Sequence, residues 1–124
     1  MYAILMKNKA LHRIEDKIQT IKSQLQDVGD MRPGSLTKQY HNPKERTGAF
    51  FQISYTHKMK SKTEYVRPEF VKEVSLQIRN YKEFKRLIEK WIALGIQYSQ
   101  LSMKAKIERS DLQQGKRPKR KRGR

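Results

Sequence analysis

The sequence predicts an α+β chain with a coiled-coil-like N-terminal helix, a two-stranded antiparallel β-hairpin, a long C-terminal helix and a disordered basic tail. Apolar residues recur every three or four positions near the N-terminus and over the C-terminal half, which is the helical period. Between these regions, residues 49–56 alternate apolar and polar side chains, as a half-buried strand does. Residues 115–124 carry seven basic side chains and no acid, so this tail has too little apolar surface to fold.

The first predicted element, residues 1–29, is an amphipathic helix. Its apolar residues form a narrow stripe with alternating spacings of three and four: Leu11, Ile14, Ile18, Ile21, Leu25 and Val28. A stripe of two positions in seven is typical of a coiled-coil seam. We therefore expect this seam to pair with another helix, antiparallel to the C-terminal one, or to form an oligomer. Gly29 is expected to end the helix at its C′ position.

Residues 30–67 are predicted to form a basic connector followed by the hairpin. Pro33-Gly34 and Asn42-Pro43 indicate turns, and no periodicity is visible across 30–48. A connection of that length without secondary structure is often functional. Residues 63–66 form a second run that favours a strand, which predicts a hairpin with 49–56.

Within the first strand of this hairpin, Phe51, Ile53 and Tyr55 alternate with polar residues. We expect these three to form the buried face of the hairpin rather than a binding surface, because alternation of this kind is typical of a half-buried sheet. A lone hairpin is marginal in water, so it must rest on a helix or on another hairpin.

Residues 68–114 are predicted to form the long C-terminal helix, with Pro68 at its start, a position that proline favours. Two apolar runs keep the helical spacing: Val71, Val74, Ile78 and Tyr81, followed by Phe84, Leu87, Trp91, Leu94, Tyr98, Leu101 and Ala105. A three-residue step from Tyr81 to Phe84 shifts the phase of the stripe between the two runs. The sequence is compatible with one continuous helix and also with a helix that breaks near Gly95. Trp91 lies on the stripe, which favours core packing.

Composition restricts the classes of function. The formal net charge is +17 over 124 residues, which predicts a polyanionic partner, nucleic acid above all. The chain has no cysteine, which removes disulfides, thiolate zinc sites and thiol catalysis. No apolar run reaches the roughly 20 residues that span a membrane, and residues 1–6 are too short for a signal sequence. We expect a cytoplasmic protein without a membrane partner. An apolar content of 35% is low, which favours a homo-oligomer.

The middle of the chain, roughly residues 31–98, resembles a small uncharacterised prokaryotic family whose members are often encoded beside, or fused to, transposon genes. The motifs that carry this resemblance are Gly34-Ser35-Leu36-Thr37-x-x-Tyr40, Gly48-x-Phe50-Phe51-Gln52-Ile53-Ser54-Tyr55-Thr56, Lys60-Ser61-Lys62, Tyr65-Val66 and Glu69-x-Val71. The resemblance implies a link to mobile elements and a role with nucleic acid, but no mechanism.

This sequence departs from the family pattern at one place. The family has a cysteine-bearing loop, similar to a small metal-binding knuckle, where this chain has residues 41–46 and no cysteine. A zinc function implied by the family is therefore not carried over to this chain, and we expect no cofactor.

Basic side chains supply the candidate nucleic-acid-binding residues, because Lys and Arg contact phosphates. In the connector and the hairpin these candidates are Arg32, Lys38, Lys44, Arg46, Lys58, Lys60, Lys62 and Arg67, and in the tail they are Lys116, Arg117, Lys119, Arg120, Lys121, Arg122 and Arg124. Alternation predicts that Lys58, Lys60 and Lys62 project from one face if the strands extend that far. Exposed aromatics among Phe50, Tyr55 and Tyr65 are candidates for stacking on unpaired bases.

Catalysis finds little support in the sequence. His12, His41 and His57 are dispersed and match no metal-ligand spacing, and no clustered carboxylates suggest a two-metal nuclease. We predict a non-catalytic nucleic-acid-binding accessory or regulatory protein, plausibly of a mobile element, that binds DNA or RNA with weak sequence specificity. The alternatives are an adaptor that docks a larger nuclease or transposase, a subunit of an RNA–protein particle and, third, a metal-dependent nuclease.

Overall fold

A computed structural model describes residues 2–114, with side chains for residues 5–111. The helices are α1, Tyr2–Gln26, and α2, Val71–Gln114, and a 3-10 turn spans Pro68–Phe70. The strands are β1, Ser35–Asn42, β2, Thr47–His57, and β3, Lys60–Val66. The chain divides into two compact units. Unit 1 contains α1 up to Gln24 and α2 from Ile88 onward, and unit 2 spans 25–87.

In unit 1, α1 and α2 run antiparallel. Contacts between their described residues include an ion pair of Lys7 with Glu108, a hydrogen bond that the Tyr98 hydroxyl donates to the Glu15 carboxylate at 3.2 Å, and the Lys22 ammonium 5.3 Å from the centre of the Trp91 ring. From Lys7 to Lys22 along α1, the contact partners on α2 run backwards from Glu108 to Trp91. This order confirms the expected antiparallel pair.

The N-terminal seam faces inward, as its spacing predicts. Ile21 is buried, with 5% of its surface exposed, and the side chains of Leu11, Ile14 and Ile18 are half-buried. On α2, Ala105 is 1% exposed. Leu25 and Val28, the last two residues of the seam, belong to unit 2 and are half-buried there.

The end of α1 differs from the prediction. The helix ends at Gln26, and the Val28 amide donates to the Leu25 carbonyl at 3.2 Å, which closes the last turn. Gly29 does not have the positive φ of a C′ glycine. Its lack of a side chain serves packing instead, because an added Cβ would lie 3.2 Å from the side-chain nitrogen of Asn80. That nitrogen donates to the Asp30 carbonyl at 2.8 Å.

The expected two-stranded hairpin is wrong, because the sheet has three antiparallel strands in the order β1-β2-β3. The additional strand β1 lies within the connector that was predicted to be a loop. The local sequence does not predict this strand, because Lys38 interrupts the apolar face between Leu36 and Tyr40 and turn-forming pairs flank the segment. Pairing with β2 supplies what the local sequence lacks, since β1 aligns Leu36 with Ile53.

The core of unit 2 lies between one face of this sheet and α2. Ile53, Val66 and Ile78 are buried there, and the half-buried side chains packed against them are Leu36, Phe51, Val71 and Val74. The inward positions expected for Phe51 and Ile53 are thereby confirmed. Gly34 permits close packing at this point, since its φ is +144° and an added Cβ would lie 2.8 Å from Cγ1 of Ile53.

Helix α2 is continuous over 44 residues. Of the two arrangements that the sequence allowed, the unbroken helix is the one observed, and it passes through Gly95 without interruption. Pro68 opens the 3-10 turn that leads into α2, and α2 itself begins at Val71. The restricted φ of proline suits such a helical start.

Candidate nucleic-acid interface

The basic residues of the sheet occupy two separate ends. Lys44 and Arg46 lie in the turn between β1 and β2, whereas Lys58 lies in the turn between β2 and β3. These turns are at opposite ends of β2, which has 11 residues and therefore spans about 35 Å. The sequence-predicted residues consequently form two cationic patches rather than one.

The turn between β2 and β3 consists of two residues, Lys58 and Met59. Their φ angles are 51° and 66°, the left-handed pair that a two-residue type I′ hairpin turn requires and that Asn-Gly usually supplies. Met59 is 98% exposed at the apex. Because Lys58 lies in the turn, it is not part of the alternating row that the sequence predicted. Lys60 and Lys62 do share a face of β3, opposite His57 and Tyr55.

Arg32 is engaged within unit 2. Its guanidinium pairs with the Glu64 carboxylate at 3.3 Å and lies 4.9 Å from the centre of the Tyr55 ring. Tyr55 in turn donates a hydrogen bond of 2.7 Å to Glu64. This triad joins the connector to β2 and β3, so the guanidinium of Arg32 is already engaged in contacts within the fold.

Two pKa values report on the triad. The hydrogen bond from Tyr55, together with the Arg32 guanidinium, lowers the pKa of Glu64. The same hydrogen bond raises the pKa of Tyr55 above its ordinary value. Both shifts favour the state in which Glu64 is charged and Tyr55 keeps its proton.

Two further predicted residues also have partners. Arg67 pairs with Glu69 at 3.1 Å but keeps 66% of its side chain exposed. The Lys38 ammonium lies 5.7 Å from the centre of the Tyr40 ring. By contrast, Lys44, Arg46, Lys58 and Lys60 are exposed and form no ion pair with the residues that the structure describes.

The sheet face turned away from α2, here called the open face, carries no Lys, Arg, Asp or Glu on its three strands. Its residues are Ser35, Thr37, Gln39 and His41 of β1, Phe50, Gln52, Ser54 and Thr56 of β2, and Ser61, Thr63 and Tyr65 of β3. Hydroxyl pairs cross the strands at 3.1 Å between Ser54 and Thr63 and at 3.0 Å between Thr56 and Ser61.

Aromatic rings gather at one end of the open face. The rings of His41 and Phe50 stack with centroids 4.6 Å apart and an interplanar angle of 27°. Gly48 makes room for this stack, since its φ is +70° and an added Cβ would lie 3.0 Å from the Cβ of His41. Tyr65 is 61% exposed, and it pairs with Gln52 on the neighbouring strand.

Basic residues on α2 are further candidates that the sequence did not predict, because the apolar stripe dominates the pattern of that segment. In unit 2 these are Lys72, Arg79, Lys82, Lys85 and Arg86. Arg86 is paired with Glu83 through bonds of 2.6 and 2.9 Å, which raise the pKa of its guanidinium. With these residues, thirteen Lys and Arg stand against seven Asp and Glu in 25–87, a formal charge of +6.

A second apolar stripe lies on α2, and the sequence pattern did not predict it. Ile92, Ile96, Met103 and Ile107 are each more than half exposed, between 54% and 57%. Their spacings of four, seven and four place them on one side of the helix. The residues of the inward stripe, Trp91, Leu94 and Tyr98, alternate in sequence with those of the exposed stripe. The two sets together therefore read as one apolar pattern.

The seven tail residues predicted to bind nucleic acid, Lys116, Arg117, Lys119, Arg120, Lys121, Arg122 and Arg124, lie outside the described residues. Within residues that are described, no group of three or more His, Asp or Glu is placed to hold a metal ion. No helix in that same part of the chain is long and apolar enough to cross a membrane.

Comparison of the chain with protein-family models, curated proteins and solved structures finds no match. The resemblance to the transposon-associated family therefore stays a prediction, and the functional argument depends on the geometry of the site.

Proposed function

We propose that this protein is a non-catalytic nucleic-acid-binding protein, an accessory or regulatory component of a mobile genetic element. The observation that carries the proposal is the placement of Lys44, Arg46, Lys58 and Lys60. These side chains are exposed on the turns and edge of a sheet and form no ion pair with any described residue. Unpaired cations of this kind are available to phosphates at little cost in broken contacts.

The affinity is mainly electrostatic. Each phosphate neutralised releases about 0.9 counterion from duplex DNA, so the tail and both turn patches add to affinity without reading sequence. Point charges on Lys and Arg position a backbone rather than identify bases. Weakly specific binding follows, with charge supplied by the turns of the sheet and by the tail.

Self-association is the second part of the proposal. The exposed stripe of Ile92, Ile96, Met103 and Ile107 continues for several helical turns of α2. An exposed apolar stripe along one side of a helix can be buried against the same stripe of a second helix, so a second copy of this chain is the partner that we propose. A nuclease or transposase that presents a matching helix is the alternative occupant, in which case the protein is an adaptor.

Deletion of residues 116–124 tests the electrostatic role. Affinity for a duplex should fall, and the slope of log affinity against log salt should flatten by several units, at about 0.9 per lost phosphate contact. Helix content, measured by circular dichroism, should stay nearly unchanged. A matched control replaces the seven basic tail residues by Gln and keeps the length. An unchanged slope in both variants would show that the tail does not contact phosphate, and lack of binding by the intact chain at low salt would overturn the proposed function.

A further inference from the structure

The open face is the part of the molecule that the electrostatic proposal does not use. Eleven side chains with hydroxyl, amide, imidazole or aromatic groups lie on it, and the strands place no Lys, Arg, Asp or Glu there. In a chain of net charge +17, a neutral surface of this extent is not explained by phosphate contact. Nor does it belong to the core, because all but Phe50 and Gln52 of its side chains are exposed.

We infer that the open face binds the unpaired bases of a single-stranded nucleic acid, an inference that rests on the proposed function and specifies its ligand. Aromatic side chains on a sheet stack on unpaired bases, whatever their sequence. Phe50 on the central strand and Tyr65 on β3 supply two such rings. Tyr65 pairs with Gln52, two positions along β2 from Phe50, so the rings are diagonal neighbours with Cα atoms roughly 7 Å apart.

The rings are held ready for a ligand by their neighbours. His41 stacks on Phe50 at 4.6 Å, which leaves Phe50 half-buried and restricts its orientation. Gln39 lies opposite Phe50 and Gln52 opposite Tyr65. Each ring therefore has beside it an amide that both donates and accepts hydrogen bonds, the combination that the edge of an unstacked base can use.

Charge complementarity favours a nucleic acid over an uncharged ligand. Lys44 and Arg46 lie in the turn next to His41, and Arg67 follows β3 directly beyond Tyr65. These three cations lie at the same end of the sheet, because β3 ends where β2 begins. A strand that stacks its bases on the rings would thus carry its phosphates past the cations at this end. Two acids are close to these cations in sequence: Glu45 accepts a hydrogen bond of 2.6 Å from Asn42, and Glu69 pairs with Arg67.

A duplex cannot use this surface in the same way. Its bases are stacked on one another and present only their edges in the grooves. Rings on a sheet can contact base faces only when the strand is unpaired. The proposal therefore predicts a preference for single strands over duplexes that carry the same number of phosphates.

Oligonucleotides with abasic positions provide the direct test, because they keep every phosphate and lose the bases. We would measure fluorescence anisotropy for a single strand of DNA, the same strand of RNA, an abasic version of each, and the duplex. The intact chain should bind a base-containing strand more tightly than its abasic version by about five-fold or more per ring, given the usual contribution of one stacked base. Such a difference with either sugar supports the inference.

The variants assign the difference to the two rings. Phe50→Leu with Tyr65→Thr should abolish the preference for bases while leaving binding of the abasic strand unchanged. Tyr65→Thr alone, at the exposed position, serves if the double variant fails to fold by circular dichroism, and it should lose part of the preference. Tyr65→Phe keeps the ring and should behave as the intact chain does, and Tyr40→Thr removes a ring from the other face and should also change nothing.

Two outcomes distinguish this inference from the proposed function. Equal binding of base-containing and abasic strands would overturn base stacking on the open face and leave phosphate binding intact. Absence of binding to all the oligonucleotides at low salt would overturn both.

Discussion

Tyr55 donates a hydrogen bond of 2.7 Å to Glu64 across β2 and β3, on the sheet face that carries the core. Arg32 closes this contact from the connector, at 3.3 Å from the same carboxylate. Three parts of unit 2 that are distant in sequence therefore depend on one ionised carboxylate.

This dependence predicts how stability varies with pH. The pKa of Glu64 is lowered in the folded chain from its ordinary value of 4.5, so its contribution to folding is present above that value and is lost as the pH falls through the lowered pKa. Glu64→Gln should remove this acid-side dependence, whereas Glu73→Gln should not. Urea denaturation at several pH values measures it, and identical pH profiles for Glu64→Gln and the intact chain would contradict the role of the triad.

The strained turn between β2 and β3 predicts an easy gain in stability. Lys58 and Met59 both have positive φ, a conformation that disfavours L residues with side chains and that Asn-Gly adopts readily. Lys58→Asn with Met59→Gly should raise the free energy of unfolding by about 1–2 kcal/mol. Lys60→Ser, on the adjacent strand, is the control and should change it by less than about 0.5 kcal/mol. No gain in urea denaturation would mean that the turn is not under strain.

The lysines of the β2–β3 ribbon should add specificity as well as charge. Changing Lys58, Lys60 and Lys62 to Ser should weaken binding of the preferred nucleic acid more than binding of random competitor, because fixed charges lose less entropy on docking than a tail does. The control changes Lys72, Arg79 and Lys82 of α2 to Gln, which removes three charges elsewhere. Competition gel shifts measure both. Equal losses of affinity for the two ligands would show that the ribbon contributes only non-specific charge.

Self-association should depend on the outer stripe of α2. Ile96→Asp with Met103→Asp places two charges on positions that are 54% and 55% exposed in the single chain, so the fold should persist while oligomers dissociate. Sedimentation measures the mass. Ile18→Asp with Ile21→Asp is the contrasting pair, since it buries charge in the inner seam and should unfold unit 1. If the mass is the same with and without the outer substitutions, the stripe does not form the interface.

Gly95 offers a test of whether α2 needs flexibility. It lies within the continuous helix, and an added Cβ meets no atom within 4 Å. Gly95→Ala should therefore raise the free energy of unfolding by about 0.5–1 kcal/mol, the usual helix-propensity difference. Thermal melting measures the change, and a loss would indicate close packing against a partner at this point of the helix.

The sequence by itself determined the elements whose pattern is local. Leu11, Ile14, Ile18 and Ile21 repeat at the helical period, and that period alone predicts a helix with an inward seam. The strand containing Ile53 follows from alternation in the same way, and its return through Val66 follows from a run of residues that favour a strand. The surplus of basic residues and its electrostatic consequence are likewise properties of composition.

Tertiary structure alone decided what depends on pairing between distant residues. Strand β1 exists because Leu36 meets Ile53, and its own residues do not alternate well enough to show it. Whether Arg32 is available to a ligand depended on Glu64, 32 positions away. The extent of the open face likewise depended on pairing, because Ser35, Thr37, Gln39 and His41 join it only when β1 pairs with β2.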